Sequence, residues 1–80
     1  MATVLIIDDE RPIRSSLRDI LEYEEYKVLD VDNGTDALEI LKKQPIDLVL
    51  CDIKMNKMDG MEVLSTSKTF VDVPFIMISG

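Results

Sequence analysis

Histidine is absent from this 80-residue sequence, and glycine, proline and cysteine are scarce, with three, three and one respectively. Without histidine the chain cannot supply Ser/His or Cys/His nucleophile pairs, an HExxH zinc site or an imidazole acid–base catalyst. The three glycines stand far apart, which excludes the GxGxxG and Walker A phosphate-binding loops. The remaining chemistry rests on carboxylates, hydroxyls, lysines and one thiol.

Membrane and nucleic-acid functions are also disfavoured. No apolar run approaches the ~18 residues of a membrane span, and the first residues do not resemble a secretion signal. The net charge is −7 and the nine basic residues are scattered, so we do not expect this segment to bind nucleic acid directly. The lone Cys51 cannot form an internal disulfide, which agrees with a reducing compartment. We therefore expect a cytoplasmic protein.

Short apolar runs alternate with helical patterns along the chain, which is long enough for one domain. We predict strands at Thr3–Ile7, 26–32, 47–51 and 73–78, and helices at roughly 11–24, from the Asn33 cap to Gln44, and from Met58-Asp59-Gly60 onward. This order predicts an α/β fold with a parallel sheet and right-handed crossovers. The alternation alone would equally suit part of a Rossmann domain or of a β/α barrel.

Apolar spacing also predicts which face of each helix is buried. The expected buried residues are Ile13, Leu17, Ile20 and Leu21 in the first helix, Ala37, Leu38, Ile40 and Leu41 in the second, and Met61, Val63 and Leu64 in the third. Arg14 and Arg18 should lie on the opposite side of the first helix. Asn33 should cap the second helix, with Asp36 as the reciprocal partner of a capping box, and Pro45 should stop that helix.

Acidic and hydroxyl side chains follow three of the predicted strands. Asp8 and Asp9 end the first strand, Asp52 ends the third and Ser79 ends the fourth. Ligands of open α/β sheets bind at the carboxyl ends of strands, so these side chains could share one site. Taken singly, each has a plainer explanation, because an acid at a strand end is commonly solvated and a serine there often makes a local turn bond. Their coincidence favours a site.

Three motifs carry a resemblance to a known family. They are Ile-Ile-Asp-Asp at 6–9, Cys-Asp-Ile-Lys-Met at 51–55 and Met-Asp-Gly-Met-Glu-Val-Leu at 58–64. In order and spacing the sequence resembles the receiver domain of bacterial two-component response regulators. The resemblance implies a flavodoxin-like parallel sheet of order 2-1-3-4. The family's last helix-strand-helix would be missing, and with it the site lysine and the switch aromatic of the family. Residues 1–80 would then be the N-terminal, incomplete portion of a receiver domain.

The resemblance also implies residue roles. Asp52 would be the phosphoacceptor and one of the Mg²⁺ ligands, Asp9 would ligate Mg²⁺ directly, Asp8 through water, and Lys54 through its backbone carbonyl. Ser79 would hydrogen-bond a phosphoryl oxygen and act as a switch. Clustered carboxylates repel one another, and oxygen-only ligands favour Mg²⁺ as the ion that offsets this repulsion.

The implied function is phosphorelay signalling rather than turnover of a separate substrate. Because the chain contains no histidine, the phosphoryl donor would be a sensor histidine kinase or a phosphotransfer protein. A receiver-like interaction module without phosphorylation is the main alternative. A phosphatase of the haloacid dehalogenase type is a weaker alternative. That family has a second acid two residues after the nucleophile, and the corresponding position is Lys54 counted from Asp52, or Glu10 counted from Asp8.

The fourth strand would be an apolar edge strand in this order, with Phe75, Ile76, Met77 and Ile78. Such an edge can pair with another strand. The sheet face built from Thr3–Ile7 and residues 47–51 would also be partly bare. We therefore expect self-association through this strand and this face, or else a chain that is only marginally folded.

Overall fold

A computed structural model describes residues 1–55 and 58–78. In chain order its elements are β1 (Thr3–Ile7), α1 (Arg11–Tyr23), β2 (Lys27–Val31), α2 (Gly34–Lys43), β3 (Leu48–Asp52), α3 (Gly60–Ser67) and β4 (Phe75–Ile78). Within the described residues, each helix is too short or too polar to cross a bilayer. The predicted site residue Ser79 lies outside the described residues.

All four strands run parallel in the order β2-β1-β3-β4, which confirms the predicted order. β1 and β3 are neighbours, and Ile7 pairs with Cys51. The residues that follow, Asp8 and Asp52, therefore emerge side by side at the carboxyl edge of the sheet. The topology alone thus brings together two acids that stand 44 positions apart in sequence.

The sheet separates two apolar clusters because successive strand side chains point to opposite faces. The larger cluster lies under α2 and α3 and contains Leu5 and Ile7 of β1 and Val49 and Cys51 of β3, all fully buried. The smaller cluster lies under α1 and is formed by Val4, Ile6 and Val28, with Leu17, Leu21, Leu48 and Leu50 packed against it.

The sheet face under α1 was expected to be partly bare over both β1 and β3, and only part of this expectation is met. Its β1 portion is covered, since Val4 and Ile6 are 1% and 0% exposed. The β3 portion is less covered, because Leu48 and Leu50 are half-buried. On the edge strand β4, Ile76 is 52% exposed. The bare area therefore lies over β3 and β4, because α1 packs over β1 and β2.

Two of the predicted helix faces are wrong in part. In α1, Ile13 and Ile20 are 41% and 61% exposed, because the helix meets the sheet along the row of Leu17 and Leu21. In α3, Met61 is 54% exposed although Val63 is fully buried. Residues two positions apart on a helix point about 200° apart, so they cannot share one buried face.

The ends of α2 follow the predicted signals. The Asn33 side chain accepts a hydrogen bond from the Asp36 N–H at 2.8 Å and donates its own amide to the Asp36 carboxylate at 3.0 Å. The reciprocal bond thus uses the Asn33 side chain rather than its backbone N–H. The helix ends at Lys43, before Pro45. β1 spans Thr3–Ile7 and α1 begins at Arg11, both as predicted. Most of the other boundaries differ from prediction by one or two residues, as when β3 begins at Leu48 rather than Asp47.

Candidate functional site

Three carboxylates meet at the carboxyl edge of the sheet. Asp8 follows β1, Asp9 begins the turn into α1, and Asp52 is the last residue of β3. One carboxylate oxygen from each lies within 4.8 Å of the other two. The structure therefore brings together three of the four residues proposed as metal ligands from the sequence.

Asp8 is the most constrained of the three and is only 4% exposed. Its backbone N–H donates to the Val31 carbonyl at 3.2 Å, and its Oδ1 accepts from the Glu10 N–H at 2.8 Å. Burial raises the pKa of Asp8, and the nearby charges of Asp52 and Asp9 act in the same direction. The Glu10 hydrogen bond and Arg14 oppose this rise. The environment of Asp8 therefore disfavours its charged form relative to its neutral form.

Asp52 is half-buried and lies where β3 turns toward α3. Its Oδ1 accepts a hydrogen bond from the Lys54 N–H at 3.2 Å. Lys54 is thereby placed beside the cluster, while the ligand role of its carbonyl stays a prediction. The Gly60 N–H donates to the Ile53 carbonyl at 2.8 Å, which draws the start of α3 against the end of β3.

Gly60 has to be glycine for this approach. A Cβ at this position would lie 2.3 Å from the Asp52 carbonyl oxygen and 2.6 Å from the end of the Met77 side chain. The preceding Asp59 accepts from the Glu62 N–H at 2.9 Å and so caps α3. The Met-Asp-Gly motif is therefore a helix start that fixes the backbone of Asp52, and its acid is used as a cap.

The cluster fits a hard divalent cation. Two carboxylate charges 4.8 Å apart repel by about 3.5 kcal/mol at an effective dielectric constant near 20, before screening by solvent. A bound cation would relieve the repulsion among the three carboxylates, one of which, Asp8, is buried. The donor atoms are all oxygens, the ligand type that Mg²⁺ prefers. The residues present therefore suit Mg²⁺.

A layer of charges behind the cluster was not predicted from the sequence. Arg14 donates from Nε to the Asp30 carboxylate at 3.0 Å and from Nη1 to the Asp8 carbonyl oxygen at 2.9 Å. Arg18 also binds Asp30, and donates to Glu22 at 3.0 Å. Arg18 and Arg14 lower the pKa of Asp30 through these bonds. The prediction that the arginines lie on the side of α1 opposite its buried face is wrong for Arg14, whose side chain is 16% exposed and faces the sheet. The only sequence signal for this layer was the four-residue spacing of Arg14 and Arg18, which places them on one side of α1.

The environment of Cys51 does not favour a role as a nucleophile. The residue is fully buried beneath the cluster. Burial, followed by the charges of Asp52, Asp8 and Asp59, raises the pKa of its thiol to about 12. A thiol with so high a pKa is a poor nucleophile at neutral pH. Its predicted role as a small buried apolar residue agrees with this environment.

A cleft of about 440 Å³ opens beside Asp9. It lies between the turns that follow β1, β2 and β3, and its lining residues are Asp9, Asp32, Asn33, Gly34, Thr35, Met55 and Met58. Met55 and Met58 are half-buried and pack against the larger apolar cluster. Small molecules could therefore reach Asp9 from this side.

Comparison with known proteins identifies relatives of this chain. The sequence profile of the response regulator receiver domain matches residues 4–80. The chain is 42% identical over 65 residues to sporulation initiation phosphotransferase F of Bacillus subtilis, covering 81% of this chain and 52% of that protein. It is 42% identical over 67 residues to transcriptional regulatory protein ZraR of Klebsiella oxytoca, covering 84% of this chain and 15% of that protein. The chain thus spans about half or less of these curated relatives.

Solved structures give the same result. The response regulator TrrA of Thermotoga maritima, in complex with Mg²⁺ and BeF, matches with a TM-score of 0.92 at 34% identity, over 99% of this chain and 70% of that one. The same regulator in complex with the histidine kinase ThkA matches with a TM-score of 0.93 at 32% identity, over 100% of this chain and 70% of that one. The predicted flavodoxin-like, receiver-type fold is confirmed over the matched region.

Proposed function

This chain belongs to the response regulator receiver domain family, and from that membership we propose that it accepts a phosphoryl group on Asp52 during phosphorelay signalling. The observation that carries the proposal is the convergence of Asp8, Asp9 and Asp52 within 4.8 Å at the carboxyl edge of the sheet. A TrrA structure with Mg²⁺ and BeF supports a site of this kind in the family.

In the proposed reaction an Asp52 carboxylate oxygen attacks phosphorus in line, a P–O bond forms, and the P–N bond of a phosphohistidine breaks. The leaving imidazole keeps the electron pair and takes up a proton. Because Oδ1 of Asp52 already accepts from the Lys54 N–H, we assign the attack to Oδ2. Asp8, Asp9, Asp52 and the Lys54 carbonyl would hold Mg²⁺, which when bound offsets the negative charge of the carboxylates and the phosphoryl oxygens. Ser79 would contact a phosphoryl oxygen and act as the switch.

The donor would be a sensor histidine kinase or a phosphotransfer protein in the cytoplasm. TrrA in complex with the kinase ThkA supports the first class of partner. The chain's own chemistry would be limited to phosphorylation and dephosphorylation of Asp52, so it would not be an enzyme acting on a separate substrate.

Intact mass measurement after incubation with a small acyl phosphate and Mg²⁺ tests the proposal. We expect the mass of one phosphoryl group to be added to the wild-type chain and to be lost in Asp52→Asn. Asp72→Asn is the matched control, because the Asp72 side chain is fully exposed. Labelling of Asp52→Asn equal to that of wild type would contradict the assignment.

One observation favours a second role as an interaction module. Ile76 is 52% exposed on the edge strand β4, and Leu48 and Leu50 beside it are half-buried. An apolar edge of this kind can pair with a strand of a second copy. Sedimentation would show self-association that Ile76→Lys weakens; a wild-type monomer at tens of micromolar would exclude it. Self-association without labelling of Asp52 would favour the module over the phosphoacceptor.

A further inference from the structure

Among the described residues, Arg14 is the one side chain of α1 that hydrogen-bonds both to β2 and to Asp8, which follows β1. Its Nη1 donates to the Asp8 carbonyl oxygen at 2.9 Å, and its Nε donates to the Asp30 carboxylate at 3.0 Å. The Arg14 side chain is only 16% exposed. A largely buried guanidinium that uses its fork on two partners holds both at a fixed separation.

We propose that Arg14 is a positioning residue for the metal-binding carboxylates, acting through its bridge from the Asp8 carbonyl to Asp30. The proposal rests on the proposed function, because it assumes that Asp8 and Asp9 bind Mg²⁺. Arg14 itself would not contact the ion.

The planarity of the peptide bond gives this bridge its effect. The carbonyl of Asp8 and the N–H of Asp9 belong to one rigid plane, so a bond that orients the carbonyl also orients the Asp9 backbone. The N–H and Oδ1 of Asp8 are held separately, by Val31 and Glu10. The bridge from Arg14 therefore acts on the next residue, Asp9, which lies beyond the end of β1.

Arg18 provides a matched comparison one turn along the same helix. It binds the same Asp30 carboxylate, and its second ion pair is with Glu22 at 3.0 Å. Its hydrogen bonds within the described part of the chain go to Asp30 and Glu22 and not to Asp8. An effect that comes only from tying α1 to β2 should therefore be shared by both arginines, whereas positioning of the site belongs to Arg14 alone.

Electrostatics predicts the opposite sign from positioning. Arg14 is a cation near the cluster, so its removal would by charge alone strengthen the binding of Mg²⁺. Loss of a group that orients metal ligands typically weakens metal binding 10- to 100-fold. The direction of the change in Arg14→Met therefore separates the two effects, and Arg14→Lys keeps the charge while breaking the two-point bridge.

Calorimetric titration of the full 80-residue chain with Mg²⁺ tests the proposal. We expect Arg14→Lys and Arg14→Met to bind Mg²⁺ about tenfold more weakly than wild type, and Arg18→Lys to stay within about twofold of it, as the intact contacts of Asp8 require. Urea unfolding of each variant shows whether it is folded under the conditions of the titration. The Mg²⁺ affinity is compared only among folded variants, so that a difference in global stability does not appear as a difference in affinity. If Arg14→Met does not fold, the charge-conserving Arg14→Lys decides.

The outcomes separate this proposal from the proposed function. Wild-type binding that Asp9→Asn abolishes, with Arg14→Lys weaker than Arg18→Lys, supports both. Wild-type binding with equal affinities of Arg14→Lys and Arg18→Lys overturns the positioning role alone. Absence of Mg²⁺ binding by wild type, or binding that Asp9→Asn leaves unchanged, overturns the metal site and the positioning role with it.

Discussion

Replacing Asp8 with asparagine should stabilise the metal-free chain at neutral pH, although it removes a carboxylate from the site. Asp8 is 4% exposed and lies within 4.8 Å of carboxylate oxygens of Asp9 and Asp52. At 4.8 Å each of these pairs repels by about 3.5 kcal/mol at an effective dielectric constant near 20, before screening by solvent. Asparagine keeps an oxygen that can accept from the Glu10 N–H, so the local hydrogen bond is weakened rather than lost.

The net gain is much smaller than the repulsion. Asp9 and Asp52 are partly exposed and therefore screened by solvent, and the variant loses the attraction between Asp8 and Arg14 and part of the strength of a charged hydrogen bond. We expect the free energy of unfolding to rise by about 1 kcal/mol at pH 7. Urea unfolding in EDTA, followed by circular dichroism because the chain has no tryptophan, would measure it.

The gain should depend on pH in a defined direction. Burial raises the pKa of Asp8 above its ordinary value of 3.8, so the folded chain binds the Asp8 proton more tightly than the unfolded chain does. Below pH 3.8 Asp8 is mostly protonated in both the folded and the unfolded chain, and wild type keeps its full stability. Part of that stability is lost as the pH rises through the pKa of Asp8 in the folded chain. The variant should therefore match wild type below pH 3.8 and exceed it at higher pH.

Two controls test the reasoning. Asp19→Asn removes one negative charge from an exposed position of α1, and so reports the general effect of lowering the net charge of −7. Saturating Mg²⁺ should reverse the order, since an ion that binds only the folded state stabilises it by about 2.7 kcal/mol at 100 times its Kd. An Asp8→Asn chain less stable than wild type at pH 7 in EDTA would refute the argument.

Three further predictions concern the surroundings of the site. Gly60→Ala should destabilise the chain by about 2 kcal/mol in urea unfolding, because the added Cβ meets the Asp52 carbonyl at 2.3 Å; an unchanged or higher stability would be inconsistent with that contact. Asn33→Ala should lower stability by about 1 kcal/mol through loss of the α2 cap, and Asn33→Asp should retain most of it. Cys51 should react with iodoacetamide at pH 8 far more slowly than a free thiol, since its pKa is raised to about 12; equal rates would show that the thiol is not buried as described.

The order of elements could be predicted from the sequence because its signals are local. Pro45 ends a helix and Asn33 caps one whatever their tertiary contacts are. The apolar runs likewise indicate strands before it is known which strands pair. The meeting of Asp8 with Asp52 needed one further piece of information, the sheet order, which the resemblance to a family provided. Periodicity alone left other α/β folds open.

The role of Arg14 could not have been predicted in the same way. Its partner at the site is a backbone carbonyl, and every residue has one, so the sequence carries no mark of the contact. The exposed faces of Ile13 and Ile20 have a related cause. An apolar residue at helical spacing shows that a surface could be buried, but the line along which α1 meets the sheet, through Leu17 and Leu21, decides how much of it is.

The site has two parts with different mechanical support. Asp8 and Asp52 directly follow Ile7 and Cys51, which are paired in register and fully buried in the larger apolar cluster, so moving either acid requires opening that core. Asp9 lies two residues beyond the end of β1, in a turn whose orientation depends on hydrogen bonds. Asp52 is also paired in register with Ile78 of β4, so loosening of the β4 edge would affect Asp52 before Asp8, which lies at the end of the central strand β1. Changes at the turn would act on Asp9, and thus on the ligand proposed to contact the ion directly.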